Sequence, residues 1–241
     1  NEQTIGWETE TIFSCSYPSE FLTRFKHIGT RGPMPGAFLQ KTEAQTENGS
    51  YYEYETALTD RAGIVKAYEA VTQYCGFPAI EAGKTMGLSP YGSENDKIPA
   101  LFEQETKVPL VNRNIIVPTY PNAGAVNSYL YEELEHDSND DLTVLKNRRD
   151  LAYAVQTETQ TEVSKLIKKA VEMTGNKNVV VSGGYGLNCV ANYFYLEDLK
   201  ELDINLYVEP ISSDAGTAIG AALLTHRSIT QDDTKLDRSD D

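Results

Sequence analysis

A glycine-rich segment follows a strand-like apolar run in the last third of the chain. Residues 182–188 (SGGYGLN) come directly after Val179 to Val181 and before a helix-like stretch. Glycine tolerates positive φ and lets the backbone approach a ligand that a Cβ would exclude. The start of a helix offers unpaired N–H groups to a phosphate. The segment predicts a nucleotide-binding turn at Gly183, Gly184 and Asn188. A tight turn without a ligand remains open, because the spacing is neither the GxGxxG nor the Walker pattern.

A single aspartate lies at a second turn between a strand-like run and a helix-like stretch. Asp214 follows the strand-like residues 205–208 and opens the small-residue segment 214–220 (DAGTAIG). A carboxylate at the carboxyl end of a strand is placed where α/β sheets bind ligands, and it suits a hard cation or iron. The alternative is an aspartate that only caps the helix.

A third segment carries an acid and a base three residues apart. Glu81 and Lys84 lie in residues 81–92 (EAGKTMGLSPYG), where glycines and a proline punctuate a short helix-like stretch. Side chains with this spacing share one face of a helix. They form either a surface ion pair or a clamp on a ribose and its phosphates.

The elements that must position these residues alternate between strands and helices. We predict strands at 179–181 and 205–208 in one sheet, each followed by a turn and then a helix, the second helix running from Asp214 to Leu224. The turns at 183–188 and 212–216 should then lie on the same edge of that sheet. A long helix is predicted from about Asp141 to Met173, with Gly175 as its stop. The predicted class is α/β.

The first half of the chain is less regular. We predict paired strands at 5–14 and 20–28, a surface loop at 29–50, and a helix from Asp60, as N-cap, to Tyr74. Residues 107–142 are expected to be irregular, and the acidic tail from Gln231 to Asp241 to be disordered.

The charge, cysteine content and hydropathy of the chain argue against several kinds of partner and location. The 241 residues carry 36 acidic and 21 basic side chains, a net charge of −15, which disfavours nucleic acid and anionic membranes as partners. Three separated cysteines indicate a reducing compartment, and no apolar run reaches the roughly 20 residues of a membrane span. The sequence therefore predicts a cytoplasmic location.

Three segments in this order resemble the nodulation-type and antibiotic-tailoring O-carbamoyltransferases: EAGKTMGLSPYG, VVSGGYGLNCVAN and YVEPISSDAGTAIGAAL. The resemblance implies an actin/sugar-kinase-like (ribonuclease H-like) sheet with flanking helices. It also implies an enzyme that uses carbamoyl phosphate and ATP to form carbamoyladenylate, and then carbamoylates a hydroxyl of a small molecule beside a metal, usually iron. By motif, Gly183, Gly184 and Asn188 would hold the nucleotide, and Asp214 would bind the metal. Glu81 and Lys84 would lie near the ribose and phosphates.

The sequence also departs from the family pattern, and these departures affect which part of the enzyme the chain is expected to represent. Tyr185 replaces a small apolar residue in the glycine turn, and none of His27, His136 and His226 lies in the family's HxxxH-like stretch. We therefore interpret residues 1–228 as the carboxyl-terminal half of the kinase-like domain, which lacks its amino-terminal half and the adenylate-forming domain. No general base is identified. The alternatives are a non-catalytic or truncated nucleotide-binding module, a sugar kinase, or a tRNA-threonylcarbamoyl-type ATPase.

Overall fold

The computed structural model describes residues 6–30, 32–119, 123–127 and 141–234. Its strands are β1 (Gly6–Ser16), β2 (Glu20–Thr30), β3 (Phe38–Gln45), β4 (Tyr51–Thr59), β5 (Ile116–Thr119), β6 (Ala123–Val126), β7 (Asn178–Val181) and β8 (Asn205–Val208). Its helices are α1 (Ile64–Tyr74), α2 (Ala82–Leu88), α3 (Asp141–Thr174), α4 (Cys189–Asp198) and α5 (Asp214–Thr230).

The strands of the described residues form three sheets. The largest has the order β1-β2-β4-β3. Strands β1 and β2 form the predicted pair, which is antiparallel, and β2 runs parallel to β4. A β5–β6 hairpin and the parallel pair β7–β8 make the other two. The mixed strands and flanking helices confirm the α/β class.

Helix α3 contributes residues to all three hydrophobic clusters of the described structure. Its residues Leu151 and Val155 are fully buried against α1, while Leu166 packs on the core of the four-stranded sheet. Ile167 joins the core formed by β7, β8 and α4. The helix therefore fixes the first half of the chain relative to the second, and it has almost the predicted bounds. Gly175 follows it with φ +67°, as expected of a glycine stop.

Two predictions in the first half are wrong. Residues 29–50 are not only a loop, because they contain β3, which pairs with β4 from Phe38 opposite Leu58 to Gln45 opposite Tyr51. Asp60 is not the N-cap of α1, because that position is Gly63. Asp60 is instead buried, accepts a hydrogen bond from Met34 N at 2.9 Å and is ion-paired to Arg61. These contacts, together with an ion pair to Arg113 at 3.3 Å, place the carboxylate among buried and partly buried partners and not at the helix end.

Other boundaries differ in detail. The stretch 107–142 is not wholly irregular, since it contains the β5–β6 hairpin, although part of it lies outside the described residues. Helix α5 continues beyond Leu224 to Thr230. Residues 231–234 have no regular structure, and the rest of the acidic tail also lies outside the described residues. Within the described ranges, no helix has both the length and the apolar character needed to cross a bilayer.

Candidate functional site

The two predicted turns lie at one edge of the small sheet. Strands β7 and β8 pair in parallel from Asn178 opposite Asn205 to Val181 opposite Val208, so their carboxyl ends coincide. Beyond that pairing, Glu209 N donates to Val181 O at 3.1 Å. The glycine turn and the turn before α5 therefore leave the sheet side by side, as predicted.

The two turns also contact each other. A Cβ built on Gly186 would lie only 2.9 Å from Ser212 Oγ, so a larger residue at this position would have to displace the Ser212 hydroxyl. Ser212 is buried, and its hydroxyl has no hydrogen-bond partner among the described residues. The contact fixes the spacing between the start of α4 and the start of α5.

The first two glycines of the turn face open space. Gly183 has φ +98°, and neither Gly183 nor Gly184 has any atom within 4 Å of the place a Cβ would take. Gly183 is needed for its backbone conformation, whereas Gly184 is not in the positive-φ region. Their backbone is therefore accessible from the side on which a ligand could bind.

The side chain of Asn188 makes hydrogen bonds to other residues of the protein. Its Oδ1 accepts a hydrogen bond from Ala191 N at 3.0 Å, which caps α4. Its Nδ2 donates to Gln156 Oε1 at 3.0 Å, and Gln156 Nε2 donates back to Oδ1 at 3.3 Å. Asn188 thus ties the glycine turn to α3, and its role toward a nucleotide stays a prediction.

Tyr185 points into the protein core. Its hydroxyl is 2.7 Å from Thr159 Oγ1 of α3, and its ring meets the ring of Tyr68 of α1 edge-on with centroids 6.0 Å apart. Burial raises the pKa of the Tyr185 phenol well above its usual value, so this side chain stays neutral. The unusual tyrosine therefore anchors the turn between two helices.

Asp214 stands exposed at the first position of α5, and Ser213 occupies the N-cap position without a side-chain cap bond. Among the described residues, no group of three or more histidine, cysteine or acidic side chains could hold a metal ion. His27 is buried against Glu10, while His226 is exposed and His136 lies outside the described residues. One carboxylate does not make an iron site, since a tightly held metal needs several side-chain ligands.

The third motif lies next to the segment that carries the glycine turn. Glu81 and Lys84 form an ion pair of 2.6 Å with both side chains partly exposed. Two residues beyond Lys84, Met86 Sδ lies 3.9 Å from Cys189 Sγ, at the first residue of α4. Helix α2 therefore borders the glycine turn, although the ion pair itself contacts neither Gly183 nor Asp214 in the hydrogen bonds of the described residues.

A buried histidine–glutamate pair lies outside the predicted site, and it was not predicted from the sequence. His27 is 1% exposed, and its Nδ1 lies 2.7 Å from Glu10 Oε2. The other oxygen of Glu10 accepts a hydrogen bond from Ile64 N at 2.6 Å, at the start of α1. Because the two residues are 17 apart on neighbouring strands, no local motif signals the pair. It fixes the amino-terminal end of α1 to β1 and β2.

The chain is thus an α/β protein in which two helices begin beyond the carboxyl ends of two parallel strands, the position where such sheets bind ligands. Residues 35–223 match the family model described as carbamoyltransferase N-terminus. Since this match covers more than half of the chain, the protein belongs to the carbamoyltransferase family.

Curated relatives agree with this assignment. The chain is 28% identical over 175 residues to the nodulation protein NolNO of Sinorhizobium fredii, covering 72% of this chain and 24% of the relative. It is 22% identical over 233 residues to the nodulation protein NolO of Bradyrhizobium diazoefficiens, covering 91% and 35%. An uncharacterized Synechocystis protein, sll1178, is 29% identical over 180 residues, covering 72% and 29%. The chain therefore spans about a quarter to a third of the length of these relatives.

Proposed function

We propose that this chain is part of an ATP-dependent O-carbamoyltransferase, in which the edge beyond β7 and β8 binds the nucleotide part of carbamoyladenylate. Family membership supports the carbamoyl chemistry. The observation that carries the site is the open backbone at Gly183 and Gly184, beside the starts of α4 and α5. The positive ends of those helices favour a phosphate at this position.

The proposed transfer is a substitution at the carbamoyl carbon. The oxygen of the acceptor hydroxyl attacks that carbon, the bond from the carbon to the phosphate oxygen breaks, and AMP leaves. The hydroxyl proton passes to a base that is not assigned within this chain. Carbamoyl phosphate and ATP are the sources of the adenylate, and the acceptor is a small molecule.

We further propose that Asp214 supplies one ligand of an iron ion and that the remaining ligands come from outside this chain. Its exposure at the start of α5 leaves the carboxylate accessible to such a partner. The Glu81–Lys84 pair would lie on the ribose side of the nucleotide, because α2 borders α4 through Met86 and Cys189.

A side chain added at Gly184 tests the proposed nucleotide site, because it would occupy the space beside the exposed backbone. In the longer enzyme of which this chain is proposed to be part, Gly184→Val adds a branched side chain whose Cβ meets no atom within 4 Å, so we expect the fold to tolerate it. We expect the KM for ATP to rise about tenfold or more, which corresponds to the loss of about 1.4 kcal/mol of binding free energy. Carbamoyl transfer from carbamoyl phosphate and ATP to a panel of polyhydroxylated acceptors is the readout.

Gly220→Ala is the matched control, because Gly220 also faces open space but lies within α5, away from the turn. It should leave KM unchanged. If Gly184→Val keeps the native KM, the nucleotide binds elsewhere. If the parent protein binds ATP but transfers no carbamoyl group, the alternative of a non-catalytic nucleotide-binding module is favoured.

A further inference from the structure

Strand β3 is the outermost strand of the four-stranded sheet, and one of its edges is free. Among the described strands it pairs with β4 alone, from Phe38 opposite Leu58 to Gln45 opposite Tyr51, without a register shift. With 8 residues it is longer than a typical strand. A free edge of this length presents unpaired N–H and C=O groups that can bond to another strand.

A hydrogen bond at the end of β3 shows which of its backbone groups face the free edge. Thr46, which follows β3, donates its N–H to Ser50 O at 2.8 Å, so residue 46 bonds across the hairpin. Hydrogen-bonded and non-bonded residues alternate along an antiparallel pair. The residues whose N–H and C=O point away from β4, toward the free edge, are therefore Leu39, Lys41, Glu43 and Gln45.

The charges on β3 are only partly compensated within the chain. Glu43 lies directly opposite Glu53 of β4, and like charges at such positions destabilise a sheet. Lys41 pairs with Glu53 at 2.9 Å, whereas no ion pair of the described residues includes Glu43. Both Lys41 and Glu43 are exposed, and the backbone of both faces the free edge. A cation on the outer side of β3 would therefore neutralise Glu43.

We propose that β3 pairs with β3 of a second copy of this chain, antiparallel and about a twofold axis at Thr42. In this register Lys41 of each copy lies opposite Glu43 of the other, so the pairing gives Glu43 the cation that it lacks. Leu39 lies opposite Gln45 in the same way. The two four-stranded sheets then form one continuous sheet across a symmetric interface. This inference does not depend on the nucleotide site proposed above.

The same charges disfavour the neighbouring registers. A residue that faces the free edge bonds only to another residue that does so, which leaves registers that differ by shifts of two residues. A twofold axis at Lys41 would place Lys41 opposite its own copy, and an axis at Glu43 would place Glu43 opposite its own copy. Both arrangements bring like charges together. A lysine on an edge strand usually blocks pairing, but here its position relative to Glu43 selects one register.

A pair of charge reversals tests the register in the 241-residue chain. Lys41→Glu places an acid opposite Glu43 of the other copy, and Glu43→Lys places a base opposite Lys41. Each variant alone should raise the dimer dissociation constant, measured by sedimentation equilibrium, about tenfold or more. An equimolar mixture of the two variants should restore dimers, because each acid then meets a base.

Lys200→Glu is the matched control for Lys41→Glu, since it changes the net charge equally at an exposed residue that follows α4. It should leave the dissociation constant unchanged. A native chain that stays monomeric throughout the concentration series would overturn the inference. A mixture of the two reversed variants that does not dimerise would do the same, as would equal weakening by Lys41→Glu and Lys200→Glu.

Amide hydrogen exchange in the native chain separates this dimer from one formed through another surface. The amides of Lys41 and Glu43 face the free edge, so their exchange should slow about tenfold or more as rising protein concentration populates the dimer. The amide of Ala44 faces β4, so it should be protected at every concentration and serves as the internal reference. Dimers in which the Lys41 and Glu43 amides exchange as fast as in the monomer would place the contact elsewhere and contradict the proposal.

Discussion

Gly183 occupies the one position of the glycine turn where the backbone conformation itself requires glycine. Its φ of +98° is unfavourable for any residue with a Cβ, while Gly184 beside it is free of that restriction. We expect Gly183→Ala to lower the free energy of unfolding by about 1 kcal/mol or more. Urea denaturation followed by circular dichroism measures the change.

Gly184→Ala is the control for that experiment, because its added methyl group meets nothing within 4 Å. Its effect on the free energy of unfolding should stay within about 0.5 kcal/mol. Equal losses at the two glycines would show that the turn does not have this conformation in solution.

The paired amides of Asn188 and Gln156 connect the glycine turn to α3. Asn188→Ala removes both the cap of α4 and the partner of buried Gln156. We expect a loss of about 1–3 kcal/mol in the free energy of unfolding. A double-mutant cycle with Gln156→Ala should give a coupling energy of about 0.5–3 kcal/mol. Strictly additive losses would mean that the two amides do not interact.

At the scale of elements, Glu158 joins α3 to the segment before β5. Its carboxylate accepts hydrogen bonds from Leu101 N at 2.8 Å and Phe102 N at 3.2 Å. Burial is the largest influence on this group and raises its pKa above the usual value, although the two backbone donors oppose the shift. The folded protein therefore binds this proton more tightly than the unfolded chain does.

This raised pKa predicts a pH dependence of stability. Between the unfolded and folded pKa values, the folded state holds more protons, so the contribution of Glu158 falls as pH rises through that window. Glu158→Gln keeps an acceptor oxygen but cannot titrate. The stability of the native chain relative to Glu158→Gln should therefore increase as the pH is lowered from neutral toward the unfolded pKa of the carboxyl. A constant difference in the free energy of unfolding across this range would contradict the prediction.

For the whole molecule, the proposed metal site at Asp214 predicts what the chain can do alone. Asp214 is exposed, and no cluster of three ligating side chains exists in the described ranges. We expect the 241-residue chain to bind iron weakly or not at all and to transfer no carbamoyl group, because one carboxylate competes poorly with water. Metal analysis and calorimetry with ATP are the measurements.

The longer protein of which this chain is proposed to be part provides the comparison for that prediction. It should bind iron, and Asp214→Ala should abolish the binding. Glu209→Ala, a change of another acidic residue near the same edge, should leave it intact. Stoichiometric iron or micromolar ATP binding by the 241-residue chain would show that the site lies elsewhere.

Local patterns in the sequence determined much of the second half. The apolar stripe of α3 predicted its length, and the two strand–turn–helix segments predicted β7, β8 and their common edge. Such features depend on residues close together in the chain, and the parallel pairing follows from the helix between the strands. The glycine turn and Asp214 were found in the same way, because glycine and a cap position carry local signals.

Only the tertiary structure decided the features that depend on distant residues. The pairing of β3 with β4 was missed because polar side chains on an edge strand look like a loop. Asp60 was assigned to a helix cap because its partner Met34 lies 26 residues away in the chain and reaches it only in the folded protein. The hydrogen bonds between Asn188 and Gln156, 32 residues apart, also form only in the folded chain. The same holds for the cleft that residues of β1 and β7 line. Local spacing specifies elements, whereas the contacts between them are set by packing over long separations in the chain.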